Sequence, residues 1–199
     1  MLALLAGLTA GLVHVFSGPD HLAAVAPLAA DTRRAQWKTG MQWGFGHTAG
    51  VLLIGVLLMI VREQLPVDAI SANSERVVGG VLIAVGGWGL WCALRAGARR
   101  HTHNHTHAGA SFVMGTVHGL AGSSHLFGVL PALALPTREA SALYLAGFGL
   151  GAVAGMTAFT SALGMVSDHL ERRGPAPVTA LLALSSAAAV IVGVVWLVG

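Results

Sequence analysis

Residues 11–31 read GLVHVFSGPDHLAAVAPLAAD, and residues 115–135 read GTVHGLAGSSHLFGVLPALAL. At a constant offset of 104 residues, the two stretches share a Gly-x-Val-His start, a central Gly-x-x-His-Leu and a Val-x-Pro end. Matching glycines are common in apolar sequence, but two histidines seven residues apart, duplicated with their flanking glycine and proline, are hard to obtain by chance. The pattern predicts an internal repeat.

The composition around this repeat is that of a membrane protein. Of the 199 residues, 55% are hydrophobic and 10% are charged, and the mean hydropathy is +0.74. A soluble domain carries about 25% charged residues. The composition therefore excludes disorder and most soluble enzymes. The chain has one cysteine, which excludes a disulfide framework and a cysteine-based zinc site.

Six stretches are long and apolar enough to span a membrane, which takes roughly 20 residues each. They are 2–28, 39–62, 76–95, 111–135, 140–166 and 176–198. The predicted fold is an all-α membrane protein in which six transmembrane helices form a 3+3 inverted repeat, with spans 1 and 4 broken. Three spans per half invert one half relative to the other, as in many secondary transporters. The predicted divisions are 1–95 for the first repeat, 96–110 for a His-rich cytoplasmic linker and 111–199 for the second repeat.

Basic residues predict the orientation. Eight of the 11 follow spans 1, 3 and 5, so these connections face the cytoplasm and both termini lie outside the cytoplasmic (inner) membrane. The high isoelectric point is thereby a topology signal, and we expect no nucleic-acid partner. Aromatic residues near the predicted span ends are interpreted as lipid anchors. These are Trp37, Trp43, Trp88, Trp91, Tyr144 and Trp196.

Ionisable residues inside spans are costly and usually face a cavity or the bundle interior. The candidate metal ligands are His14, Asp20, His21, His47, His118 and His125. Residues Ser17-Gly18-Pro19 and Gly122-Ser123-Ser124 lie between the paired histidines and predict a break in each helix. Two interrupted helices at equivalent positions are typical of a transport site. His169, beside Asp168, is interpreted as an interfacial residue.

The donor set predicts the class of metal. Imidazoles with one carboxylate suit nickel, cobalt or zinc, whereas calcium and magnesium prefer oxygen ligands. Asp20 either binds the metal or orients an imidazole. Ser124 stands where Asp20 stands, and a second echo, Gly44-Phe45-Gly46 against Gly147-Phe148-Gly149, puts Leu150 opposite His47. We therefore expect one site, formed mainly by spans 1 and 2, which His118 and His125 either complete or gate.

A second histidine group lies in the linker, where residues 101–107 read HTHNHTH. Alternating histidines in such a tract bind transition metals weakly. The four candidates are His101, His103, His105 and His107. They either capture metal near the membrane or belong to a solvated linker, and in both cases the central site should not depend on them.

The segment from His14 to His21 resembles the histidine–aspartate–histidine signature of the nickel/cobalt transporter superfamily. Gly46-His47-Thr48 is similar to the short Gly-His motif of that family's next helix, and residues 18–25 (GPDHLAAV) resemble its urease-accessory, UreH-like branch. The resemblance implies a membrane permease for nickel or cobalt. Five residues separate His14 from Asp20 where the signature has four, and the better-known importers have eight spans.

These observations predict a secondary transporter that moves a divalent transition metal by alternating access at a midplane site. The bound partners are then the metal ion, the lipid bilayer and, as a coupling ion, protons. A second hypothesis is a zinc-dependent intramembrane hydrolase that uses the His/Asp/Ser set to activate water. A third is haem-based electron transfer through paired histidines. We expect no enzymatic activity and no cofactor. Zinc is an alternative to nickel and cobalt as the transported metal.

Overall fold

The computed structural model describes residues 1–31, 36–61, 67–96, 108–120, 131–132 and 134–198. Within these ranges the chain forms seven α-helices and no strand, which confirms the all-helical prediction. The helices are α1 (Leu2–Ser17), α2 (Pro19–Asp31), α3 (Gln36–Val61), α4 (Val67–Ala96), α5 (Ala108–Leu120), α6 (Arg138–Glu171) and α7 (Pro175–Val198).

The chain bends sharply between α1 and α2. Gly18 has an extended backbone (φ −90°, ψ 99°), and its N–H donates to the carbonyl of His14 at 3.1 Å. Helix α2 then begins at Pro19, at the first helical position, where the missing N–H of proline breaks no helical hydrogen bond. The two helix axes meet at 70°, which is the geometry of a broken span or a re-entrant loop.

Two helices, α6 and α7, are long and apolar enough to cross a membrane among the residues that the structure describes. The bent α1–α2 pair supplies a third crossing if it is one span, and α4 contains a shorter apolar helix from Gly79 to Arg95. The number of six spans therefore stays a prediction.

Helix α1 packs against α6, and α5 packs against α3. Glycines let the backbones approach closely in both interfaces. A methyl group on Gly11 would collide with the carbonyl of Phe148 and approach the amide of Ala152. A methyl group on Gly115 would meet the carbonyl of Trp43 and the amide of His47 in the same way. The two interfaces therefore have the same backbone contacts.

The contacts of α3 with α6 are also reciprocal. Gly44 faces Val153, and Gly149 faces Thr48, so that adding 105 to a position on α3 gives its counterpart on α6. Between α4 and α7, Gly79 and Gly193 face each other's carbonyls. This register corrects the one expected from the glycine echo: Ala152, rather than the exposed Leu150, occupies the position that corresponds to His47.

Candidate metal centre

Five of the six predicted ligands come together inside the helical bundle. His14 lies in the last turn of α1, and Asp20 and His21 lie in the first turn of α2. His47 is in the middle of α3, and His118 is in the last turn of α5. Their side chains are buried, except that of His14, which is half-buried. Metal binding by this group stays a prediction.

Three imidazoles form one subset of the cluster. The ring centroid of His14 lies 4.4 Å from that of His21 and 5.6 Å from that of His47, and the rings of His21 and His47 are 4.9 Å apart. One ring nitrogen from each residue lies within 4.8 Å of the other two. The seven-residue spacing of His14 and His21 does not place them on one face of a continuous helix. The bend at Gly18 turns them towards each other.

Asp20 joins this subset to the other half of the sequence. Its Oδ1 is hydrogen-bonded to Nδ1 of His21 at 3.1 Å, and its Oδ2 lies 3.0 Å from Nε2 of His118. Asp20, His21 and His118 form a second group whose ligand atoms lie within 4.8 Å of one another. The carboxylate also lies in the first turn of α2, where the helix dipole stabilises negative charge.

Gly18 provides the space for this arrangement. A methyl group at this position would overlap Nδ1 of His21 and would come within 2.9 Å of Oδ1 of Asp20. Because the backbone conformation of Gly18 is open to any residue, its glycine is explained by the close approach of these side chains rather than by φ and ψ.

Two of the predicted lipid anchors are instead core residues. Trp43 is fully buried, and its ring stacks on His47 with centroids 5.1 Å apart and planes at 12°. The same ring lies 5.2 Å from His118 and 5.8 Å from His21. Tyr144 is also buried. The interpretation as anchors is therefore wrong for both, and the four-residue spacing of Trp43 and His47 on one helix was the available signal.

The described cluster accounts for five of the six predicted central ligands. His125 and the four linker histidines, His101, His103, His105 and His107, lie outside the described residues, as does the predicted break at 122–124. His169 is exposed in the last turn of α6, away from the cluster. Four of the five clustered side chains come from the predicted first repeat, and His118 comes from the second.

Helices apolar enough to cross a membrane and a buried histidine–aspartate cluster define the class of this protein: an all-helical membrane protein with a candidate metal centre.

Comparison with known proteins gives three relatives. The chain is 36% identical over 200 residues to Chloroplast protein FOR GROWTH AND FERTILITY 2 of Arabidopsis thaliana, a match to 94% of this chain and 54% of the relative. It is 31% identical over 206 residues to Chloroplast protein FOR GROWTH AND FERTILITY 1 of the same plant, covering 94% and 56%. It is 28% identical over 181 residues to Urease accessory protein UreH of Bacillus sp. (strain TB-90), covering 80% and 75%.

The chain thus spans about half the length of the two Arabidopsis relatives. The similarity to UreH agrees with the UreH-like resemblance of residues 18–25. No family model matches the chain, and no solved structure matches it.

Proposed function

We propose that this chain is a permease for a divalent transition-metal ion, nickel or cobalt, and that His14, His21 and His47 are its direct ligands. The observation that carries the proposal is the convergence of these three imidazoles, each able to offer a ring nitrogen within 4.8 Å of the other two, in the interior of an apolar helical bundle. The match to a urease accessory protein supports it.

The donor geometry suits a borderline metal. A metal–nitrogen bond of about 2.1 Å places two tetrahedral ligands about 3.4 Å apart, so the imidazoles close around an ion with shifts of about 1 Å. Because Nδ1 of His21 is hydrogen-bonded to Asp20, we assign metal binding by this residue to Nε2, the other ring nitrogen. Asp20 then orients His21 and offsets part of the ion's charge, in the manner of carboxylate–histidine–metal groups.

The reciprocal helix contacts support transport through an inverted repeat. The first helix of each predicted half packs on the middle helix of the other, and the α3–α6 contacts are exchanged by the same relation. The candidate site lies at this junction, because Asp20 of one half contacts His118 of the other. Transporters of this type bind their substrate where the repeats meet and expose it to each side in turn.

The membrane potential determines whether import or export of the metal needs a coupling ion. A divalent cation entering a cell gains about 4.6 kcal/mol per 100 mV, twice the value for a single charge. Import therefore runs on voltage, whereas export requires coupling to another gradient, for which we propose protons. We assign the cytoplasmic membrane, with both termini outside, from the distribution of basic residues.

The hydrolase hypothesis is not favoured. None of the three relatives is named as a hydrolase. The serines of this hypothesis are Ser17, Ser123 and Ser124, of which the structure describes Ser17. Its hydroxyl donates to the carbonyl of Val13 at 2.6 Å. Among the residues that the structure describes, the two metal-capable groups contain no glutamate to act as a general base.

The test is metal flux into proteoliposomes that contain the purified chain, with nickel, cobalt and zinc supplied in turn and the voltage and pH gradient both varied. We expect uptake of nickel or cobalt by the unaltered chain and its loss in His21→Ala, because this residue belongs to both ligand groups. His169→Ala is the matched control, since it removes an exposed imidazole far from the cluster. Equal flux in His21→Ala and the unaltered chain would contradict the proposed function.

A further inference from the structure

We infer that Trp43 and Phe148 are paired aromatic barriers that close the candidate site towards the two opposite sides of the membrane. The inference rests on the proposed function and adds the two residues that control access to the site. Both rings are buried, with 0% of Trp43 and 2% of Phe148 exposed. Both also touch the cluster: Trp43 stacks on His47, and the ring of Phe148 lies 5.3 Å from that of His14.

The two residues occupy corresponding positions in the helix contacts. Gly115 of α5 packs on the carbonyl of Trp43, and Gly11 of α1 packs on the carbonyl of Phe148. Their separation of 105 residues is the same relation that exchanges the contacts between α3 and α6. A large aromatic side chain therefore stands at the same place in both interfaces.

Trp43 and Phe148 lie on opposite sides of the midpoint at which α3 crosses α6. Helices α3 and α6 run antiparallel, because Gly40 faces Met156, Gly44 faces Val153, and the Thr48 hydroxyl donates to the carbonyl of Gly149 at 3.4 Å. Because these pairs exchange when 105 is added to a position on α3, the level shared by Gly46 of α3 and Gly151 of α6 is the midpoint of the crossing. Trp43 lies before this level, on the side where α3 begins (the Gln36 side).

Phe148 lies beyond the midpoint, on the side where α6 begins (the Arg138 side). Each residue is three positions from the midpoint along its own helix, or about 4.5 Å at the rise of an α-helix. His47 lies between the two levels. His47 thus has an indole towards the Gln36 side and a phenyl ring towards the Arg138 side.

The rings are suited to movement. Nε1 of Trp43 has no hydrogen-bond partner within the described ranges, and phenylalanine has no polar group to hold. Packing therefore fixes both rings, and a rotation that opens one side breaks no side-chain hydrogen bond. Opening of Trp43 exposes the site to the Gln36 side, and opening of Phe148 exposes it to the Arg138 side.

The test measures access to the centre of the bundle by thiol labelling. Ala152 is fully buried near the midpoint, and the chain's single cysteine, Cys92, is removed as Cys92→Ser to give a background for Ala152→Cys. A membrane-impermeant maleimide is applied from either side of sealed vesicles. The exposed ends of α6 calibrate the two sides through Glu139→Cys and Glu171→Cys.

We expect slow labelling of Ala152→Cys from both sides while the two rings are present. Adding Trp43→Ala should raise the rate from the Gln36 side by about tenfold, and adding Phe148→Ala should do so from the Arg138 side, because each removes one local barrier. Trp43→Phe should restore slow labelling. The matched controls are Trp91→Ala and Phe45→Ala, which remove exposed rings and should leave both rates unchanged.

Faster labelling from the same side in both alanine variants, or from neither side, would overturn the inference. If Trp43→Ala does not elute as a folded species, Trp43→Leu takes its place, since leucine keeps part of the apolar volume without the ring. The labelling contains no metal, so its outcome is independent of the flux experiment. Sided labelling without metal binding would leave the barriers in place and remove the proposed substrate.

Discussion

The interface between α1 and α6 and the interface between α5 and α3 have the same backbone contacts but different chemistry. In the first, Gly11 packs against Phe148 and Ala152; in the second, Gly115 packs against Trp43 and His47. The position that holds an imidazole in one interface thus holds a methyl group in the other. Both interfaces depend on glycine for the close approach of their helices. Of the two, the α5–α3 interface carries an imidazole at the adjoining position.

Among the residues that the structure describes, four of the five clustered side chains come from the first half of the sequence, and the exchange of His47 for Ala152 accounts for one imidazole of this difference. A helix frame held by glycines needs small residues at a few positions and leaves the neighbouring positions free to vary. The second half contributes His118, whose Nε2 lies 3.0 Å from Oδ2 of Asp20 and whose ring lies 4.7 Å from that of His21. The following predictions test how far the two interfaces are equivalent and where they differ.

The largest effect should come from replacing the contact glycine of each interface by alanine. In Gly11→Ala and Gly115→Ala the new methyl group meets a backbone carbonyl, which cannot move aside as a side chain can. We expect each variant to lose roughly 3 kcal/mol of stability, the upper range for overpacking, and to lose it equally. The measurement is thermal unfolding in detergent.

Gly87→Ala is the matched control, because an added methyl group there meets nothing within 4 Å and lies on an exposed helical surface. It should stabilise the helix by up to about 1 kcal/mol. A large loss in one interface variant with no loss in the other would show that the two interfaces are not equivalent.

An intermediate effect should come from the link between the halves. Asp20→Asn keeps the shape of the side chain but removes the charge that orients His21, so we expect nickel affinity to fall about 10- to 100-fold. His118→Gln should lower nickel affinity less, because in the proposed site His118 contacts Asp20 and is not one of the three direct ligands. Isothermal titration of the purified protein measures both.

The comparison with His169→Gln controls for the loss of an exposed imidazole. If His118→Gln weakened nickel binding more than Asp20→Asn did, His118 would be a direct ligand, and both halves would supply metal ligands.

The smallest effect should come from the linker. Replacing its four histidines by alanine should change central affinity and flux by less than about threefold, because alternating histidines in such tracts bind metal weakly and separately. The four are His101, His103, His105 and His107. Loss of a weak second class of nickel sites, with the tight class retained, is the expected titration result. A loss of flux comparable to that of His21→Ala would make the linker part of the transport path.

Some of this arrangement could be predicted because it is written locally. The apolar runs identify helices, and Gly18-Pro19 predicts the interruption after α1, since proline begins a helix well and continues one poorly. The candidate residues His14, His21 and His47 were recognisable because ionisable groups are rare in spans of such composition. For the same reason, a shared function for these residues could be proposed before their distances were known.

Other features depend on how helices meet, and local sequence does not encode this directly. Trp43 is an anchor by position along its span but a core residue by contact, because Gly115 allows α5 to approach its backbone. The Gly-Phe-Gly match puts Leu150 opposite His47, two residues from the observed counterpart, Ala152. A short sequence match does not determine which glycine contacts which neighbouring residue.

The sequence by itself determined an all-helical, membrane-compatible protein with a few histidines and one aspartate in its apolar segments. These features depend on residues that are neighbours in the sequence. The tertiary structure decided that Asp20 joins His21 to His118 and that Trp43 and Phe148 flank the cluster. The physical reason is that interhelical register depends on steric contact between residues about 100 positions apart, and a difference of two residues exchanges one side chain for another at the site.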